Sequence, residues 1–498
     1  MSSSQPVRTR FAPSPTGHTH LGSARTAMYD YLFSRQTGGQ FILRIEDSDQ
    51  KRYVPGAEEE LMASLRWLGI DWDEGPDIGG QYGPYRQSER RDIYQDYARR
   101  LIDSRHAYYC FCTPERLQQM REKQKALGQQ SRYDGTCRRL DPGEALARVA
   151  RGEKHVVRFK MPQEGAISVV EALRGEISVE NQTMDDYILV RSDGLAVYHL
   201  AAMVDDHLMD ISHVIRGSEW LSTLPLHAHI IRAFGWREPI WVHLSVFLKP
   251  SGKGKMSKRE SAQAMKDGYS IFIKDLNELG YIPEGVNNWI GLMGWSYDDH
   301  TEFFTLSDLV EKFSLKRLNP APAAINFTKL DYFNGLHIRS LGIPDLAARI
   351  QPFFIAAGYS VDPERLLQIT PLIRERLVTL DDALDFAGFF FKDQVNPLDN
   401  DLPGKNLTAA QSAAAARQAL AILSGLDHIS VETAEPPLRA LAESLGLQAG
   451  QLFGILRVAV TGQKVSPPLF ESMEVIGKAV VIQRVLQAVE RLEQLAAT

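Results

Sequence analysis

Residues 7–46 constrain the fold of this chain more than any other stretch. "VRTRF" alternates in the manner of a strand. "ARTAMYDYLFSR" reads as a helix running from His20 to about Arg35, and Gly38 and Gly39 close it. "QFILRIED" follows as a second strand. Strand, helix and strand in so short a span require parallel strands and a right-handed crossover. The turn between the first strand and the helix, "FAPSPTGHTHLGS", holds two prolines, two glycines and two histidines in thirteen residues. Ligands of open parallel sheets bind beyond the carboxyl ends of strands, and a helix N-terminus favours a phosphate. Pro13 and Pro15 stiffen the loop, Gly17 and Gly22 admit a ligand close to the backbone, and His20 can hydrogen-bond a phosphate oxygen without a permanent charge. On pattern alone, an ordinary turn with His18 and His20 exposed fits equally well.

The chain has 498 residues, enough for two to four domains. "GAEEELMASLRWLGI" predicts a second amphipathic helix with Leu61, Leu65 and Leu68 on one face. From Tyr85 to about Asp186 the character changes to long polar helices, short strands around "HVVRFKMP" and "ISVE", and all three cysteines. This segment reads as an α+β domain inserted between two halves of the parallel-sheet fold. The strand pattern resumes at "DYILVRSDGLAVYHLA" and "HVIRGSEWL". After about Leu330 the strand signals fade, and in the last helix Ile482, Val485, Leu486, Val489 and Leu492 follow helical spacing. The expected partition is therefore 1–84 and 187–250 as the two halves of the sheet fold, 85–186 as the insertion, 251–330 as a connecting region, and 331–498 as an all-α part.

Formal net charge is −6, so a nucleic acid would have to be held by local basic patches. The N-terminus has no apolar core of a secretory signal, and no apolar run approaches the ~18 residues of a membrane span. Sparse cysteines point to a reducing cytoplasm. A second polar segment, "PSGKGKMSKRES" (Pro250–Ser261), sets Lys253, Lys255, Lys258 and Arg259 among Gly and Ser. Alone it would pass for a surface charge run.

Together the two polar segments resemble one family. His20-Leu21-Gly22-Ser23 matches the HIGH motif of class I aminoacyl-tRNA synthetases, and Lys255-Met256-Ser257-Lys258-Arg259 matches their KMSKS motif. The wider wording, "TRFAPSPTGHTHLGSART", "ILRIEDSDQKRYVPGAEE", "YHLAAMVDDHLM", "HVIRGSEW" and "LRVAVTGQKVSPPLFESM", resembles bacterial glutamyl-tRNA synthetases from about Val7 to the C-terminus. The last HIGH position is Ser23 rather than His, which removes a second imidazole from the phosphates.

The resemblance implies a Rossmann-type catalytic domain, an acceptor-binding insertion, a stem-contact region carrying the KMSKS-like loop, and a helical anticodon-binding region. It implies ATP-dependent ligation of L-glutamate to the 3′-terminal adenosine of tRNA-Glu through a glutamyl-adenylate, in a cytoplasmic monomer. Mg²⁺ would arrive with ATP. ATP contacts fall on Thr16, Gly17, His20, Gly22, Lys255, Ser257 and Lys258, with His20, Gly22, Lys255 and Lys258 carrying catalysis within a turn that also takes in Pro13, Ser14 and Pro15. Positioning and charge stabilisation suffice for such a transfer, so no covalent nucleophile is expected. Glutamate contacts fall on Arg10, Ala12, Ser14, Glu46, Tyr198 and Arg216: guanidinium forks for carboxylates, an acid for the ammonium. Glu219, Trp220, His199, Asp205 and Asp206 would line the same cleft. The alternatives are an enzyme that also charges tRNA-Gln, a glutaminyl relative, and a non-catalytic tRNA-binding paralogue; Arg216 suits a carboxylate better than an amide.

Cys110 and Cys112 are followed by Cys137. Some glutamyl enzymes bind zinc here through these positions and a His two residues beyond, where this chain has Arg139. Tyr133, four residues before Cys137, has the spacing of related short paralogues. Two readings stay open: a three-thiolate-plus-phenolate zinc site, or reduced thiols of a site that has lost a ligand.

Overall fold

The computed structural model describes residues 6–49, 52–254, 264–266 and 268–497. The motif Lys255–Arg259 lies outside the described residues. The chain divides into two compact units. One extends to Leu276 and takes in Val286–Phe327; the other comprises Asn277–Gly285 and Thr328 to the C-terminus.

The first unit opens as its sequence dictates. β1 (Arg8–Phe11) leads through the polar turn into α1 (Leu21–Gln36), and β2 (Gln40–Leu43) returns parallel to β1, pairing Arg8 with Gln40 through Phe11 with Leu43. Gly39 lets the chain turn back onto β1, because a Cβ there would lie 2.2 Å from the Val7 carbonyl oxygen. α2 (Ala57–Trp67) buries Leu61 and Leu65, with Leu68 just beyond its end.

Next come α3 (Arg91–Asp103), β3 (Ala107–Cys110), α4 (Pro114–Ala126), α5 (Pro142–Ala150), β4 (Val156–Phe159) and the antiparallel hairpin of β5 (Ala166–Glu171) and β6 (Gly175–Glu180). Then follow β7 (Ile188–Val190), α6 (Tyr198–Leu208), β8 (His213–Gly217), α7 (Leu224–Ala233) and β9 (Ile240–Leu244). β8 and β9 are parallel, and the Ser212 backbone N–H donates to the Arg8 carbonyl at 3.0 Å, which sets the start of β8 beside β1. Strands of the 85–186 segment also pair with strands outside it. β4 pairs with β3 and with β7, and β5 meets β9 at Glu171 and Trp241. Beyond β9, the two-residue strands β10 (Phe247–Leu248) and β11 (Ala323–Ala324) pair in parallel.

One stretch departs from its pattern. "YHLAAMVDDHL" is α6 and not a continued strand. It is buried from Leu200 to Asp206, so no polar face breaks the periodicity, and a short apolar run of that kind does not distinguish helix from strand.

In the second unit the described residues beyond 330 form only helical elements and turns. The long helices Ala409–Gly425 and Lys478–Ala497 bury Ala416, Leu423, Val485 and Leu492 with Phe354 and Leu456 in a common apolar core. Thr408 and Gln411 close the first of these with a capping box. Leu486 does not join the predicted stripe: it is 44% exposed, and Arg484 takes an inner position instead. No described helix is long and apolar enough to cross a membrane.

Candidate active site

A cavity of about 840 Å³ opens in the first unit where the carboxyl ends of β1 and β8 meet the start of α1. Arg10, Ala12, Ser14, Glu46, Tyr198 and Arg216 all line it. So do Pro13, Thr16, His20, Leu21, Gly22, Ser23, Glu219 and Trp220. Pro15 and Gly17 belong to the same turn but not to the wall. Asp205, Asp206 and His199 stand behind the wall rather than in it.

The turn is built tightly. His20 is the N-cap of α1, and its Nδ1 accepts from the Ser23 backbone N–H at 3.2 Å. A Cβ on Gly22 would meet the His20 ring at 3.1 and 3.2 Å, so glycine leaves the imidazole its place. From the far side, the Leu21 N–H donates to the Ile271 carbonyl at 2.7 Å and the Ile273 N–H to the Thr19 carbonyl at 3.0 Å. Phe247 and Ile271 both line the cavity, and the KMSKS-like motif falls between them in the chain.

Buried charge supports this wall. Asp206 accepts from Arg10 Nε at 3.0 Å and from Arg44 Nη1 at 2.7 Å. Burial works to raise the Asp206 pKa, but Arg10 and Arg44 together pull it below the usual carboxylate range. Asp205 accepts from Arg90 Nε at 2.7 Å, Gln87 Nε2 at 2.9 Å and Tyr94 Oη at 2.8 Å. Glu46 accepts from Arg44 Nη2 at 3.1 Å, yet burial dominates and pushes its pKa up to about 7 against Arg44 and Arg10. Arg216 is different. Its Nε donates to His243 Nε2 at 3.1 Å, Nη2 meets His227 Nδ1 at 3.1 Å and Nη1 donates to Tyr198 Oη at 3.3 Å. The Tyr198 ring is stacked on Trp220, with centroids 3.9 Å apart.

Elsewhere in the unit, the three thiols converge. Their sulfur atoms lie within 4.8 Å of one another. Cys112 and Cys137 Sγ are 3.6 Å apart, and Tyr133 Oη lies 3.4 Å from Cys110 Sγ and 3.5 Å from Cys112 Sγ. Hydrogen bonding from Cys137, opposed by burial and aided by Tyr133, lowers the Cys110 thiol pKa from its ordinary value. The Arg158 guanidinium lies 4.3 Å over the Tyr133 ring.

The profile of class I tRNA synthetases (E and Q), catalytic domain, matches residues 6–332. The chain belongs to this family. A profile for an anticodon binding domain matches residues 345–489 of the same synthetase. Its sequence is 43% identical over 494 residues to a glutamate–tRNA ligase of Dehalococcoides mccartyi, covering 98% of this chain and 99% of the relative. It is 46% identical over 490 residues to a glutamate–tRNA ligase of Roseiflexus, covering 96% and 95%. The crystal structure of a glutamate tRNA ligase from Elizabethkingia meningosepticum, in complex with its amino acid, superposes with a TM-score of 0.90 at 36% identity over 98% of this chain and 99% of that one.

Several residues that shape the synthetase cavity carry no motif. Arg25 and Ser245 line it, and the Arg25 guanidinium donates to the Ser245 carbonyl and, at 2.9 Å, to that of Met293. Arg44, His227 and His243 act from behind the wall. Their only signal in the sequence was a charged or polar type inside an apolar strand or helix: "FILRIED", "LPLHAHII" and "IWVHL".

Proposed function

We propose that this synthetase ligates L-glutamate to the 3′-terminal adenosine of tRNA-Glu in two steps at the one cavity. In the first, an α-carboxylate oxygen of glutamate attacks the α-phosphorus of ATP, the α–β anhydride bond breaks, and pyrophosphate leaves. In the second, the ribose 2′-hydroxyl of the tRNA attacks the acyl carbonyl, its proton is lost, and AMP leaves. The observation that carries this reading is the cavity itself, which sets an N-terminal helix turn with an imidazole beside a guanidinium that meets no carboxylate among the described residues.

The residues divide the work by chemistry. Thr16, His20 and Gly22 sit where phosphate oxygens would meet the N-terminus of α1. Lys255 and Lys258, with Ser257, would neutralise charge on the phosphorus and on departing pyrophosphate. Mg²⁺ would come with the nucleotide, held by its phosphates, water and one or two carboxylates. Arg216 and Tyr198 face a glutamate carboxylate, while Ala12 and Ser14 leave room beside them. Arg10 is already bonded to Asp206, so it braces the pocket as well as facing it. Glu46 meets the ammonium. The relatives named above are glutamate–tRNA ligases, and the Elizabethkingia enzyme holds its amino acid, which supports this substrate.

Pyrophosphate exchange and charging, with glutamate and glutamine and with tRNA-Glu and tRNA-Gln side by side, test the proposal. Glutamate-dependent charging of tRNA-Glu is expected. Silence with tRNA and glutamate both present would overturn it. The helical unit would read the anticodon, and charging would weaken steeply with salt because phosphates dominate such binding.

The thiol cluster fits zinc. With Zn–S near 2.3 Å, tetrahedral geometry separates two sulfurs by about 3.8 Å, close to the 3.6 Å between Cys112 and Cys137. Cys110, Cys112, Cys137 and the Tyr133 phenolate would hold the ion as a structural cross-link between β3 and the 133–137 turn. Metal analysis of protein purified without chelators should find about one zinc per chain, lost in Cys137→Ser; metal-free wild-type protein would refute the site.

A further inference from the structure

The arginines of the cavity are not electrostatically equivalent. Arg10 pairs with Asp206 at 3.0 Å, Arg52 with Asp49 at 2.9 Å and Arg191 with Asp193 at 2.7 Å. Arg25 donates from Nη1 and Nη2 to the main-chain carbonyls of Met293 and Ser245. Among the described residues, Arg216 meets no carboxylate and is held instead by two imidazoles and a phenol. It is 5% exposed.

The hydrogen bonds fix the form of both rings. His243 Nε2 receives the Arg216 Nε proton, so its own proton sits on Nδ1, 3.4 Å from Glu171 Oε1. Glu171 is held in turn by the His243 backbone N–H at 2.6 Å and the Leu173 N–H at 2.9 Å. His227 Nδ1 lies 3.1 Å from Arg216 Nη2, a group that can only donate, so His227 carries its proton on Nε2, which faces His199 Nδ1 at 3.0 Å. Burial, and then the neighbouring Arg216, hold His227 well below its ordinary pKa. Burial likewise lowers His243, against the pull of Glu171. A guanidinium has five N–H groups. Three are taken here, which leaves one on each Nη, the fork that matches a carboxylate.

We propose that His227 and His243 are positioning residues for amino-acid selection: as neutral acceptors they aim Arg216 without cancelling its charge, so that its fork favours a carboxylate over an amide. An aspartate or glutamate in either place would aim the same guanidinium equally well and neutralise it. The proposal rests on the glutamate reading above and says how that site tells glutamate from glutamine.

Charging of tRNA-Glu at saturating ATP and tRNA tests it, with wild-type activity on glutamate established first; its absence there would indict the glutamate reading and not this one. His227→Asn keeps a neutral acceptor and should hold the glutamate KM within about threefold. His227→Asp should raise that KM by about tenfold or more with kcat changed less than about threefold, and narrow the preference over glutamine by a similar factor. The KM for ATP should stay put in both. His243→Gln and His243→Glu repeat the contrast from the other side if the first aspartate variant does not fold. Nitrogen-15 histidine spectra of the wild-type protein at neutral pH need no variant and should show both rings neutral. Equal KM values for His227→Asn and His227→Asp, or an imidazolium signal from either ring, would overturn the proposal.

Discussion

Arg216 in the cavity and Arg484 in the helical unit are both buried guanidiniums with no carboxylate partner among the described residues, and they use their charge in opposite ways. Arg484 donates from Nη1 to the Val460 carbonyl at 2.5 Å, from Nη2 to those of Phe389 (2.9 Å) and Lys392, and from Nε to that of Asp393 at 3.4 Å. It ties the end of helix Ala449–Thr461 to the turn at 389–393 and is not part of the wall of the 840 Å³ cavity. Burial lowers the pKa of both groups, to about 10 for Arg484. Burial and pKa direction therefore do not separate a binding arginine from a structural one. What separates them is where the N–H groups go: onto fixed carbonyls in one case, and onto neutral props with a fork left open to the cavity in the other.

Replacing each arginine should break that comparison along different axes. Arg216→Gln should cost the larger functional effect, about 10³-fold or more in glutamate kcat/KM, because a site built to bond a carboxylate is left with an unmatched pocket. Its thermal midpoint should fall less than that of the Arg484 variant, because the glutamine amide can still donate to one of the three props and a buried charge is removed. Arg484→Met should do the reverse. Several carbonyls lose their donor, and a cost of about 3 kcal/mol in urea unfolding is expected, while the glutamate KM stays at the wild-type value. A change in KM with Arg484→Met, or a collapse of stability with Arg216→Gln, would erase the distinction.

Gly22→Ala asks whether geometry alone matters at the cavity mouth. The added Cβ would press on the His20 ring at 3.1 Å. Displacing a phosphate-facing imidazole by a few tenths of an ångström should lower kcat by about tenfold, with glutamate KM and stability near wild type. Steady-state kinetics in varied glutamate check it, and unchanged kcat would mean that His20 does not act in the chemical step.

How much of this was legible in the sequence depended on range. Ser14, His20 and Gly22 lie in one turn whose composition announces it, and the structure sets them on one wall with Arg10 of β1, which the family resemblance supplied. Tyr198 and Arg216 reached the same wall because their segments resemble a family, not because their spacing predicts it. His227 and His243 escaped notice since their partners lie in other elements, and a lone His in an apolar run is most often a core residue. Arg484 was missed for a related reason. The helical stripe of Lys478–Ala497 was readable, but which of two neighbouring rows faces inward depends on the carbonyls across the core, and Leu486 is left exposed while Arg484 is buried. In α6 the uniform burial erased the period itself.

The smallest expected effect concerns Glu46, and it sharpens the comparison by adding a group of opposite sign. Burial pushes its carboxyl up to about 7, against Arg44 and Arg10. An ammonium can pair only with the ionised form. As pH falls through 7 that form is lost, so the glutamate KM should rise by about tenfold between pH 7.5 and 6, while the carboxylates of free glutamate stay ionised throughout. Folding responds with the other sign. The shift is upward, so the stability it contributes is full below the unfolded carboxyl pKa and is lost as pH rises through about 7. Binding and stability at this one residue should thus run in opposite directions with pH, and Glu46→Gln should flatten both curves. A KM that is level from pH 6 to 7.5 in the wild-type enzyme would remove Glu46 from the ammonium site, whereas Arg216, charged throughout that range, would keep its role.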